Sequence, residues 1–240
     1  MNTTINTIIA TGVAKEHTPM SSLRKTALIA GTLYLITFVS VPTLALYGSI
    51  HEANYITGSG PDTSVIIGGI LEIIVALAGI ATSIVLFPVL RKQNEGFALG
   101  LVAARILESG TIFVGVAFLL SIVTLRQAGV GADALVTSHA LVTLYDRIFL
   151  LGQSFMPAIC DLLLGYMLYK SGLVPKFLCM IGIVGAPLLL AGYLTVLFGL
   201  IGQHAPLAGL SAVLVALFEF SLGIYLVIKG FKPSPVTAGM

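Results

Sequence analysis

Six apolar runs follow one another along the 240 residues of this chain. Each is long enough to cross a hydrocarbon layer of about 30 Å at about 20 residues per crossing. They cover approximately 27–48, 65–90, 97–125, 139–169, 177–202 and 207–228. A segment in lipid must satisfy its backbone internally, which leaves helices or a closed barrel. Leu-, Ala- and Gly-rich runs of this length exceed any barrel strand. The expected fold class is therefore all-α, an integral membrane bundle of six transmembrane helices. Charged residues make up only 9% of the chain, against about 25% in soluble domains.

Lys and Arg set the expected orientation. Lys15, Arg24 and Lys25 precede the first run, and Arg91 and Lys92 fill the second connection. Lys170 and Lys176 flank the fourth connection, and Lys229 and Lys232 follow the last run. The other connections hold only Arg126, beside Glu52, Asp62 and Asp133. Cytoplasmic loops carry the basic excess, so both termini are expected in the cytoplasm. Residues 1–22 read as a flexible polar lead, 23–232 as a single six-helix domain and 233–240 as a tail. A short apolar patch at 5–14 has no preceding basic residue and makes a poor signal peptide. Met20, directly before the basic Ser21–Lys25 segment, is an alternative start to Met1.

The net charge of +2 and the lack of a basic block with interleaved aromatics give no reason to expect nucleic acid. The expected partners are the bilayer and a small solute or ion, and oligomeric state is open. Cys160 and Cys179 lie in apolar runs and read as buried free thiols.

The charges inside the runs carry the chemistry, because each costs about 2.5–3.5 kcal/mol on insertion scales unless paired, protonated or wetted. Arg105 and Glu108 stand three apart and project to nearly the same side. Glu72 shares a face with Gly68, Ala76, Gly79 and Ser83, a helix-contact surface of small residues, and Glu219 shares one with Ala208, Ala212 and Gly223. Arg147, Ser154 and Asp161 fall at heptad spacing, so one stripe is expected, with Asp146 beside it. Pro42 and Pro157 each kink their helix or free a carbonyl. Depth places Glu72, Asp146 and Arg147 in the outer half, and Arg105, Glu108, Asp161 and Glu219 nearer the middle or inner half. Expected pairings are Glu72 with Arg147, and Arg105 with Asp161, Glu219 or Glu108. Five acids then share two arginines.

A bland reading makes these groups interhelical glue, through hydrogen bonds worth about 0.6–2 kcal/mol each. Glue needs no surplus of one sign, whereas proton relays do need such acids. The leading expectation is thus a carrier or conductor of a proton, cation or small solute. One alternative is a non-catalytic membrane module binding lipid or a partner protein. Another is an intramembrane metal-dependent hydrolase using His51, His139 and His204 near the outer face. No HExxH or i,i+4 histidine pair occurs, and loop histidines are usually solvated, so no metal or other cofactor and no catalytic residue is expected.

Three segments carry a resemblance: LRKTALIAGTLYLITF, LFPVLRKQNEGFALGLVAARILES and YKSGLVPKFLCMIGIVGAPLLLAGYL. Together they resemble an uncharacterised bacterial multi-pass membrane family, domain-of-unknown-function family 4386. The likeness runs from Ser21 to Lys229, and Asn94, Glu95, Gly96, Arg105 and Glu108 match its recurrent motif. It implies a small helical membrane protein and no particular chemistry.

Overall fold

The computed structural model of the chain describes residues 20–239. Most of the lead expected over 1–22, with its 5–14 patch, lies outside the described residues. Six helical spans are long and apolar enough to cross a membrane: Ser22–Thr43, Thr63–Leu90, Glu95–Gln127, Gly131–Ser171, Lys176–Leu197 and Pro206–Ile228. No strand occurs among the described residues.

Two spans are composite. The first joins α1 (Ser22–Thr37) to α2 (Ser40–Leu46) across a turn at Phe38 and Val39. Pro42 has no N–H to give the Phe38 carbonyl, so one helix ends there and another begins. The spans α3 (Thr63–Leu90) and α4 (Glu95–Gln127) are continuous. The fourth joins α5 (Leu135–Phe149) to α6 (Met156–Ser171) through a π-helical turn at Leu150–Phe155. Pro157 cannot donate to the Gln153 carbonyl, and the wider turn sits just ahead of it. The last two are α7 (Lys176–Leu197) and α8 (Pro206–Ile228).

Successive spans pack side by side, and α1 packs on both α3 and α8, so the six close into a ring; α2 packs on α3. Antiparallel order gathers the basic connections at one end. There Arg24 donates to the Leu226, Val227 and Ile228 carbonyls at 2.8, 2.5 and 3.4 Å, capping α8. That end is filled by one large apolar cluster, including Leu86, Leu90, Leu101, Leu164, Met167 and Phe218.

At the α1–α8 crossing the backbones nearly touch. A Cβ on Gly31 would stand 2.7 Å from the Gly223 carbonyl oxygen and 2.9 Å from Leu226 Cβ. Gly31→Leu is therefore expected to push α8 outward and destabilise the bundle by about 1–3 kcal/mol, read as a lower Tm in detergent.

The opposite end is taller. At about 1.5 Å per residue, α4 extends roughly 50 Å and overshoots the hydrocarbon layer. Its end packs with the first connection in a cluster of Tyr47, Ile50, Tyr55, Ile56, Leu119 and Ile122. Arg126 fastens that connection, donating to Asp62 at 2.7 Å and to the Gly58 and Gly60 carbonyls at 3.0 and 2.6 Å. Its guanidinium lies 4.4 Å from the Tyr55 ring centroid. Burial and the bond to Asp62 hold the Tyr55 phenol above its usual pKa.

Candidate functional site

Inside the ring lies a cavity of about 610 Å³, lined by residues of all six spans. Its mouth is at the taller end, among His51, Asp146 and His204, and it reaches to Arg105, Glu108 and Glu219. Counting about 1.5 Å per residue along α8, Glu219 stands roughly 20 Å from Pro206. The apolar cluster at the basic end closes it below.

The floor is a charge cluster. Arg105, 5% exposed, donates through one guanidinium nitrogen to both carboxylate oxygens of Glu108 at 3.2 and 3.0 Å, and through the other to Glu219 at 2.5 Å. The second nitrogen also faces the Tyr34 hydroxyl at 3.5 Å. The Cys160 thiol points at Glu108, 3.6 Å from its carboxylate. Asp161, fully buried, finds no donor for either oxygen among the described residues. Its charged neighbours are Glu219, Arg105 and Glu108. One arginine thus faces three acids.

The wall holds a second polar knot. Glu72, 2% exposed, accepts from Tyr47 Oη and from Gln153 Nε2, both at 2.7 Å. The π turn aims Gln153 this way. Gly152 in that turn leaves room for α4, since a Cβ there would stand 1.9 Å from Thr111 Oγ1. Higher up, Tyr193 Oη and Gln203 Oε1 line the cavity and have no partner among the described residues.

At the mouth, His51 Nε2 lies 3.0 Å from Asp146 Oδ1, and its ring packs edge-on against His204 with centroids 5.2 Å apart. The bond to Asp146 holds the His51 imidazole above its usual pKa, against the opposing pull of burial.

Several expectations fail here. Arg147 is exposed and forms no ion pair among the described residues, and two neutral donors serve Glu72 in its place. Nor do Arg147, Ser154 and Asp161 share a stripe, for Arg147 is exposed and Asp161 buried. The π turn holds an extra residue per turn and rotates everything after it. Of the three partners expected for Arg105, Glu108 and Glu219 are the ones it bonds, and Asp161 is left without a donor among the described residues. Of the three histidines, His51 and His204 meet beside Asp146, whereas the exposed His139 is not in that group and borders a smaller recess that His51 also lines. The small-residue face of α3 holds: Gly68, Glu72, Ala76, Gly79 and Ser83 are all buried. Tyr34, Gln153 and Tyr193 are uncharged and do not stand out within apolar runs, Gln203 falls between two runs, and Tyr47, which its place at a span end suggests is an interface anchor, is instead buried and bonds Glu72.

A family model described as Domain of unknown function (DUF4386) matches residues 29–230. The chain belongs to the DUF4386 family. No curated protein and no solved structure matches it. Within this DUF4386 chain the motif residues divide between two tasks. Asn94 caps α4, its Oδ1 accepting from the Phe97 N–H at 2.9 Å, with Glu95 in the first turn where the helix dipole favours an acid. Arg105 and Glu108, on the same helix, build the cavity floor.

Proposed function

We propose that this chain is a proton-coupled carrier of a small polar or cationic solute. It would lie in a bacterial inner membrane with both termini cytoplasmic and the cavity facing outward, the orientation that the basic end favours. The reading rests on one observation: a one-sided cavity ends on a single arginine bonded to Glu108 and Glu219, with a third acid, Asp161, buried nearby and given no donor among the described residues. Acids gathered in a water-poor site around one arginine cannot all stay ionised, so the cluster has a proton to exchange. A cation reaching Glu219 takes the place of a proton in this cluster, which links cation entry to proton release. Tyr193 and Gln203 are among the lining residues along the way.

The test is flux into proteoliposomes under an imposed pH gradient, with luminal pH read by an entrapped dye and a panel of small amines, cations and polar solutes outside. The wild type should move protons together with at least one solute. Glu219→Gln, whose amide oxygen can still accept from Arg105, should abolish that coupled flux while the protein stays folded and monodisperse. Wild-type vesicles silent towards every ion and solute tried would end this reading.

A further inference from the structure

We infer that the cavity mouth holds a site for a divalent transition-metal ion, of the zinc class, made by His51, Asp146 and His204. One ligand atom from each lies within 4.8 Å of the others. Two imidazoles and a carboxylate form a borderline donor set that suits Zn²⁺. A tetrahedral zinc with bonds of about 2.0–2.2 Å spaces its ligand atoms roughly 3.3–3.5 Å apart. His51 and Asp146 already approach to 3.0 Å, so closure asks mainly that the exposed His204 swing inward. The three come from separate places: the first connection, α5, and the connection before α8. Such convergence is not a by-product of one helix's register.

A second observation points the same way. Gln203, beside His204 and itself a lining residue of the cavity, donates through Nε2 to the Asp146 main-chain carbonyl at 3.1 Å, while its buried Oε1 has no partner among the described residues. The connection before α8 is thereby already docked on the residue that supplies the carboxylate. Three protein ligands leave the fourth position of a tetrahedral ion for water or for an entering solute, on the path to the floor. The site does not depend on carrier activity, since the ion would bind whether or not anything crosses the membrane.

The experiment titrates Zn²⁺ into the full chain, stripped with chelator and held in detergent, by calorimetry and by metal analysis after gel filtration. The expected result is one saturable Zn²⁺ per chain and a Tm that rises with the metal. His51→Ala, Asp146→Asn and His204→Ala should each weaken binding at least about tenfold, as losing a ligand or its support does. His139→Ala should match the wild type. Because both mouth histidines are exposed, His51→Asn and His204→Asn should keep the apo Tm and still lose the metal. Absence of saturable binding would overturn the assignment. So would affinity unchanged in the His51→Ala, His204→Ala double variant.

Discussion

Arg105→Ala is expected to lower the stability of the bundle by about 3–5 kcal/mol, the usual cost of removing one partner from a buried ionic cluster. The guanidinium is the one cation bonded to Glu108 and Glu219, and Asp161 stands beside them with no donor of its own. Without it three acids share a site closed below by hydrocarbon-like side chains. Arg105→Lys should recover only part of the loss, because one ammonium cannot keep the fork that reaches Glu108 on its own helix and Glu219 on α8. Arg147→Ala is the control: an exposed residue with no ion pair should change stability by about 0.5 kcal/mol or less. Thermal unfolding of the three variants in one detergent checks the order. An Arg105→Ala protein as stable as the wild type would mean the acids do not need the cation.

Asp161→Asn is expected to raise stability by about 1 kcal/mol, the net worth of one hydrogen bond, and to abolish proton-coupled flux. The asparagine amide would be a fixed donor to the neighbouring acids, whereas a carboxyl donates only while it carries a proton and Asp161 has no donor of its own among the described residues. The variant would copy the protonated acid permanently. An activity lost together with a gain in Tm separates a functional acid from a structural one. Were Asp161 simply an ionised orienting group for α6, the substitution would lower Tm and leave transport, if any, intact.

Hydrophobic length alone made the six spans legible, since lipid leaves the backbone so few options. The packing face of α3 was equally readable, because Gly68, Ala76, Gly79 and Ser83 recur at helical spacing and no bend intervenes. The fourth span was misread for a local reason. Heptad spacing supposes a uniform helix, and the π turn at Leu150–Phe155 breaks that supposition. Pro157 was the available signal: a missing N–H announces a disturbed turn, though not which way the next face will point. The Glu72–Arg147 pairing failed for a related reason. Counting charges overlooks tyrosine and glutamine, which satisfied Glu72 without bringing a second ion into the membrane. The mouth triad depends on which loops meet in space, and no spacing in one dimension holds that information.

The doubly engaged guanidinium has a mechanical corollary. Arg105 bonds an acid on its own helix and one on α8, so it works as a latch between two sides of the ring. Drawing α8 away would strand Glu219 in hydrocarbon-like surroundings unless another positive group took over that carboxylate first. In the carrier proposed above, the empty protein would resist rearrangement and a cationic cargo would release it.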